Sequence, residues 1–230
     1  MGMEDRPVHP APGHRRMKSL QDVKTALERG ASVITLDLSG ELHPEVLEAS
    51  SDWIDRNFQK EIDPGDAEVL LHLFAGREFR FQGSRGEFSI RFDEETLKRN
   101  ALLFHHAVRF CEEAYEFIQL QTGYRHLVDF EIAMDSAPFS TSPESHLFFS
   151  IALSHRGVRM DSFLPRFGKG FTQKCRYRGK GEELRRVFYQ HALIAQDYGD
   201  YRISIGRAGD RRFTMGGEAL SVPKPRGKSG

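Results

Sequence analysis

A long helix followed by a strand is encoded by residues 93–134, which read DEETLKRNALLFHHAVRFCEEAYEFIQLQTGYRHLVDFEIAM. Asp93 is a suitable N-cap, and Glu94 and Glu95 place carboxylates in the first turn, where they favour the helix dipole. The apolar residues that follow recur at steps of four and three, as on one face of a helix: Leu97, Ala101, Phe104, Val108, Cys111, Tyr115 and Ile118. The run at 127–134 then predicts a strand. A helix that leads into a strand is the repeating unit of a parallel α/β sheet.

The alternation of helix and strand continues on both sides of this unit. Ser19 is a suitable cap for a helix that stops at Gly30, and the β-branched residues 32–38 then predict a short buried strand. Further predicted elements are helices at 44–58, 143–155 and 182–198, strands at 158–163 and 201–205, and an inserted hairpin at 79–81 and 88–90. No strand is followed by a GxGxxG turn, which argues against a nucleotide cofactor. The sequence therefore predicts an α/β fold with four to five parallel strands, arranged as a TIM-barrel-like (β/α) fold that forms a partial barrel.

Composition bounds the class of protein and its partners. The 230 residues suit one α/β domain, predicted at 19–215, between an irregular N-terminal segment at 1–18 and a disordered tail at 216–230. Lys+Arg and Asp+Glu both number 33, so no net charge draws the chain to nucleic acid or to an anionic membrane. Two cysteines are too few for a disulfide framework, and no apolar run approaches the roughly 20 residues of a membrane helix. We expect a cytoplasmic protein without nucleic-acid or membrane partners.

Charged residues stand at the ends of the predicted strands, where a parallel sheet places its functional side chains. Asp37 ends the first strand, Glu131 and Asp135 belong to the next, and Arg166 follows the third. Carboxylates and a guanidinium around one mouth suit a polyhydroxy acid, because Arg grips a carboxylate and Glu can move a proton. The alternative is that the two aspartates cap the helices that follow and that Arg166 pairs with one of them.

The ten histidines do not form HExxH or another recognised ligand spacing. His105 and His106 flank the apolar stripe of the long helix, and His146 and His191 lie on other predicted helices. For each histidine taken alone, a hydrogen-bonded or solvent-facing side chain is the expected role. Spacing alone therefore does not indicate whether a metal is bound.

Several short motifs, in order and at fixed spacing, resemble those of the tagaturonate (fructuronate) epimerase family. The resemblance extends over most of residues 14–213 and is carried by Thr35, Asp37 and Ser39, by Asp129–Asp135 (DFEIAMD), Thr141-Ser142-Pro143 and His146, by Arg156-Gly157-Val158 and Pro165-Arg166-Phe167, and by His191, Ile194-Ala195, Ile203-Ser204 and Asp210. Members of that family are metal-dependent barrel enzymes that interconvert tagaturonate and fructuronate. The resemblance implies a sugar-acid substrate and a divalent metal cofactor.

The resemblance also assigns roles to individual residues. It places Glu131 on the proton-donor glutamate and His14 on a metal-binding histidine. Gly13 stands where the family has an aspartate proton acceptor, and Gly206 stands where it has a second metal-binding histidine. Glycine offers neither a ligand nor a titrating group, so we expect weakened metal binding and doubtful activity in the isolated chain.

Family members are also much longer than this chain, which implies a truncated, partly degenerate member. A part-barrel would leave a sheet edge that a second copy or a companion chain covers. Three functions remain open: a sugar-acid epimerase relative, a non-catalytic binding or assembly module derived from the same barrel, and an incomplete gene product.

Overall fold

The computed structural model describes residues 16–125, 127–168 and 181–204, together with two short strands at 214–215 and 218–219. The predictions for residues 1–15, and those for the tail apart from 218–219, lie outside this range. Along the chain the elements are α1 (Leu20–Glu28), β1 (Val33–Asp37), a 3₁₀ helix (Pro44–Glu48), α2 (Ser51–Glu61), α3 (Pro64–Phe74), β2 (Glu78–Gly83), β3 (Gly86–Arg91), α4 (Glu94–Thr122), β4 (Asp129–Ala133), α5 (Pro143–His155), β5 (Ser162–Leu164), α6 (Gly181–Asp197), β6 (Arg202–Ile203), β7 (Thr214–Met215) and β8 (Glu218–Ala219).

The central sheet has the strand order β1-β4-β5-β6, and all of its pairings are parallel. Each strand therefore lies beside the one that precedes it in this sheet, as in a β/α barrel. Met17 extends the pattern on the outer side of β1, where its N–H donates to the Thr35 carbonyl at 2.9 Å and its carbonyl accepts from Asp37 N–H at 2.9 Å. The predicted α/β fold with a barrel-like parallel sheet is confirmed.

The two faces of the sheet differ in polarity. Alternate residues of the strands carry fully buried apolar side chains, which pack against the helices in one core: Ile34, Leu36, Phe130, Ile132 and Phe163. The residues between them are polar and lie side by side in the strand register, with Thr35 beside Glu131 and Glu131 beside Ser162. The helices thus pack against one face of the sheet, and the polar side chains of Thr35, Glu131 and Ser162 lie on the other face.

Helix α4 is the main support of the helical layer. The Asp93 side chain caps it by accepting from Thr96 N–H at 2.7 Å, and Gly123 ends it in a left-handed conformation with φ of 62°. It packs against α1, α2, α3 and α5, as its continuous apolar stripe predicts. None of the helices in the described ranges has the length and apolarity needed to cross a membrane.

Three local predictions differ from the structure. The predicted helix at 44–58 is divided, because Ala49 is extended, with ψ of 151°, and Ser50 caps a separate helix, α2. Helix α3 was not predicted, and the strand predicted at 158–163 is shifted to β5.

The predicted hairpin is present as β2 and β3, and it lies against α6. The Tyr189 hydroxyl accepts from Arg85 N–H at 3.0 Å in the hairpin turn. Gly83 permits this approach, because a Cβ there would clash with the Tyr189 hydroxyl and lie 2.9 Å from its Cζ. The inserted hairpin is therefore fixed to the last helix before β6.

Candidate functional site

Glu131 lies in the middle of β4 and is only 6% exposed. The Thr35 hydroxyl donates to its Oε1 at 2.9 Å, and the Ser162 hydroxyl donates to its Oε2 at 2.6 Å. The two donors come from the neighbouring strands at the same register. Three adjacent strands therefore hold one carboxylate in a fixed orientation, and each oxygen keeps a lone pair for a further hydrogen bond.

Asp37 ends β1 and is 5% exposed. Its Oδ1 accepts from Ser39 N–H at 3.0 Å, and its Oδ2 lies 3.6 Å from Lys18 Nζ. The following 3₁₀ helix begins after His43 and has no side-chain cap. Asp37 therefore stabilises the turn after the strand instead of capping a helix.

Asp135 follows β4 and pairs with Arg16, a residue that the sequence analysis did not assign to the site. Arg16 Nη2 donates to Asp135 Oδ2 at 2.7 Å, Nη1 donates to Oδ1, and Nη1 also contacts the Ser136 hydroxyl at 3.2 Å. The hydrogen bond to Asp135 raises the pKa of Arg16, against the opposing effect of burial, and the charges of Asp37 and Glu131 raise it further. Arg16 thus links the three carboxylates electrostatically.

Arg166 contacts Asp135 at its main-chain carbonyl and not at its carboxylate. Its Nη1 donates to the Asp135 carbonyl at 3.2 Å, and its main chain exchanges hydrogen bonds with Thr141, as donor to Oγ1 at 3.0 Å and as acceptor from N–H at 2.8 Å. Neither aspartate caps α5, since Ser142 does so. The structure therefore brings Asp135 and Arg166 together, but the Asp135 carboxylate forms its ion pair with Arg16.

His14 lies outside the described residues, as do Gly13 and Gly206. Within the described residues, the ends of the strands do not offer three ligand atoms close enough to share one metal ion, and the cation Arg16 already neutralises part of their charge. The carboxylates of the described residues therefore do not form a metal site by themselves.

His146 and His191, both part of the sequence resemblance, lie behind the sheet and are fully buried. His146 stacks on Phe163 with ring centroids 4.7 Å apart, on the face opposite Ser162. Its Nδ1 is 2.9 Å from His191 Nδ1 and its Nε2 is 2.6 Å from the Tyr201 hydroxyl. Burial lowers the pKa of His191 to about 4 and lowers that of His146 as well, while it raises the pKa of Tyr201. These histidines support the sheet and do not face the carboxylates.

A cavity of about 100 Å³ lies elsewhere, within the helical layer. Its walls come from α2 to α5 and the residues next to them, and they include Glu61, Asp66, His105 and Arg156. None of the lining residues lies on the central sheet. The cavity is therefore separate from the site around Glu131.

A parallel sheet that carries a hydroxyl-held glutamate, with aspartates and arginines at its strand ends, places the chain in the class of barrel-like α/β proteins. A profile of the tagaturonate epimerase family matches residues 13–215, and the chain belongs to this family. The tagaturonate/fructuronate epimerase of Thermotoga maritima is 24% identical over 200 residues, covering 85% of this chain and 38% of that protein.

Solved structures give the same result. The native structure of fructuronate-tagaturonate epimerase UxaE from Cohnella laeviribosi matches with a TM-score of 0.72 and 30% identity, and a glycerol complex matches with 0.73 and 29%. Both matches cover 83% of this chain and 37% of theirs. The chain is thus sugar-acid epimerase-like and spans a little over a third of the length of these relatives.

Proposed function

We propose that the site around Glu131 binds a sugar acid and that Glu131 transfers a proton to or from it. The observation that supports this most directly is the fixed, buried carboxylate held by Thr35 and Ser162. The relatives named above are epimerases of tagaturonate and fructuronate, and both of these compounds are sugar acids. A hexuronate of that type is the proposed substrate class.

The surrounding residues suit the remaining groups of such a ligand. The Arg166 guanidinium has five N–H donors, and one of them donates to the Asp135 carbonyl; within the described ranges the others are open to the ligand carboxylate. Asp37 and Asp135 are acceptors for sugar hydroxyls. Arg16 balances their charges, so that an anionic ligand meets less repulsion than three unpaired carboxylates would cause.

Catalytic power is expected to be low in this chain alone. An epimerisation that removes a proton from one face of a carbon and returns one to the other face needs two acid/base groups. Glu131 provides one, and the resemblance places Gly13, which has no titrating group, at the position of the second. We therefore expect weak conversion, or binding without turnover.

The experiment is proton NMR of tagaturonate incubated with the protein, with signals of fructuronate as the readout of turnover and line broadening as the readout of binding. Glu131→Gln keeps the shape of the side chain and removes its titrating group, so any conversion should fall about 10²–10⁴-fold. Asp129→Asn, on the same strand, is the matched control and should keep the wild-type rate. Conversion that survives Glu131→Gln would contradict the assigned role, and absence of binding by the wild type would contradict the site.

A second candidate is a non-catalytic assembly module. Leu120, Tyr124 and Leu127, around the turn between α4 and β4, are 62%, 73% and 59% exposed. Exposed apolar side chains that lie close together are typical of protein interfaces. A second copy of this chain or a companion chain is the proposed partner. Sedimentation should then show a species larger than the monomer.

A further inference from the structure

Three histidines from two parts of the sequence meet where the turn before the 3₁₀ helix contacts α4. His43 precedes the 3₁₀ helix, and His105 and His106 are neighbours within α4. The backbone N–H of His43 donates to the Leu103 carbonyl at 3.3 Å, which holds this turn against the helix. One ring nitrogen from each histidine lies within 4.8 Å of the other two, and His43 Nε2 is 3.1 Å from His106 Nδ1. Three imidazoles are thus close enough to share a single ion.

The hydrogen bonds on the far sides of two rings fix which nitrogen can bind it. His43 Nδ1 is 2.9 Å from Glu45 Oε1, and His105 Nδ1 is 2.9 Å from the Leu102 carbonyl. A carbonyl or an ionised carboxylate can only accept, so both Nδ1 atoms carry the proton and both Nε2 atoms keep a lone pair. This is the arrangement by which histidine ligands of metals are oriented in proteins.

The third ring needs a change of tautomer, and the stacked rings of His43 and His105, with centroids 5.2 Å apart, must tilt toward the common ion. Without an ion, His106 Nδ1–H donates to His43 Nε2. The His106 side chain is exposed, so its proton can move to Nε2, which solvent can satisfy, and Nδ1 then becomes a ligand.

Two carboxylates lie beside the three imidazoles. Glu61 Oε2 lies 3.8 Å from His105 Nε2, and with Glu45 it supplies negative charge next to the cluster.

We propose that His43, His105 and His106 form a binding site for a divalent transition metal ion, with Zn²⁺ as the favoured ion. Three imidazole ligands with a fourth position for water or for Glu61 are a donor set that Zn²⁺ accepts in proteins. The site is distinct from the metal-binding position that family resemblance assigns to His14, and it does not depend on the proposed catalytic role of Glu131.

The test is isothermal titration calorimetry of Zn²⁺ into tag-free protein that has been dialysed against a chelator, because a histidine tag would itself bind the ion. The variants are His43→Gln and His106→Gln, and the matched control is His72→Gln, an exposed histidine on α3. The wild type and the control should bind one ion at this site, and each cluster variant should lose at least 10-fold in affinity. Glu45→Gln should lose about 10–100-fold through the orienting hydrogen bond.

Substitution with Co²⁺ gives a readout independent of heat. Visible d–d absorption of a tetrahedral cobalt site should appear in the wild type and disappear in His106→Gln, and the far-UV circular dichroism of both proteins should be the same. The proposal is overturned if Zn²⁺ affinity is unchanged in both cluster variants, or if binding is lost in His14→Gln and retained in His43→Gln. Failure of Zn²⁺ binding in the wild type would also overturn it, whatever the outcome of the tagaturonate assay.

Discussion

Burial of single polar side chains sets the chemistry of this protein at the scale of the residue. Glu131 is a carboxylate inside a sheet, where an ion without partners would be costly. The hydroxyls of Thr35 and Ser162 offset that cost and also fix the direction of its oxygens. On the opposite face, His146 and His191 avoid the cost of a buried charge because they remain neutral.

Burial lowers the pKa of both histidines, and the hydrogen bonds of the pair also disfavour a proton on His146. The Ser150 hydroxyl donates to the His146 carbonyl at 2.8 Å and therefore accepts from Tyr201, whose hydroxyl is 2.6 Å away. Tyr201 in turn accepts from His146 Nε2–H, and His146 Nδ1 accepts from His191 Nδ1–H. A proton added to His146 would place two donors against each other.

Stability should accordingly fall as the pH drops below about 6.5, the ordinary pKa of histidine in the unfolded chain. In that range the unfolded state binds protons that the folded state does not, because the pKa of His191 is lowered to about 4 and that of His146 is lowered too. Each histidine contributes about 1 kcal/mol of unfolding free energy per pH unit, and the loss continues until His191 titrates in the folded protein.

Urea unfolding at pH 7 and pH 5.5 measures this dependence. His191→Gln should reduce the slope of stability against pH, while His72→Gln, which changes an exposed histidine, should leave it as in the wild type. His105, whose pKa is also lowered by burial, contributes to the slope of every variant. Equal stability of the wild type at the two pH values would show that the pair is not the neutral, buried unit described here.

At the scale of the element, the contact between the hairpin and α6 depends on the absence of a Cβ atom at Gly83. A Cβ at Gly83 would clash with the Tyr189 hydroxyl, so Gly83→Ala should reduce the unfolding free energy by about 1–3 kcal/mol through overpacking. Gly40→Ala is the control, because its Cβ would meet no atom within 4 Å. Thermal or urea unfolding of the two variants provides the comparison.

Adding Tyr189→Phe to Gly83→Ala removes the nearest of the clashing atoms and should restore part of the stability. A Gly83→Ala variant as stable as Gly40→Ala would mean that the hairpin does not pack on α6 as described.

The elements that the sequence predicted well carry their signal locally. The stripe of α4 repeats over many turns, and Ser142 marks the start of α5, so both helices follow from the sequence alone. The break at Ala49 has no glycine or proline to mark it. Helix α3 begins with Pro64-Gly65, which is also typical of a turn, and its apolar residues cluster without a clear helical period.

The same contrast holds for the site residues: those at strand ends could be predicted, and those brought in by long-range contacts could not. Asp37, Glu131, Asp135 and Arg166 were expected near one another because the carboxyl ends of parallel strands meet. Arg16 was missed because it precedes the first predicted helix, and only the long-range bridge of Met17 to Leu36 brings it to the strand ends. The histidine cluster was missed for the same reason, since His43 reaches α4 only in the folded chain.

At the scale of the whole molecule, we expect association. Leu120, Tyr124 and Leu127 expose large apolar side chains around the turn between α4 and β4. Burial of such side chains favours association with another chain. Sedimentation velocity at micromolar concentration should therefore show a dimer or larger species.

The role of charge in this association can be tested with salt. Because Lys+Arg and Asp+Glu both number 33, attraction between oppositely charged whole molecules is not expected to drive it. Raising the salt concentration until the Debye length falls to about 3 Å should leave the association intact. A compact monomer at all concentrations, or an oligomer that dissociates in salt, would count against assembly through apolar surface.

The pairing of Thr35 with Glu131 joins residues 96 positions apart, and this separation affects how the protein is made. Strand β1 leaves the ribosome long before its neighbour β4, at a synthesis rate that makes the delay about 5–20 s. During that time Ile34 and Leu36 belong to an unpaired, apolar strand, while the helices of the intervening segment can form from local contacts alone. Helices α1 to α4 are thus available before β4 joins β1, and the site around Glu131 is assembled only when β4 and β5 have been synthesised.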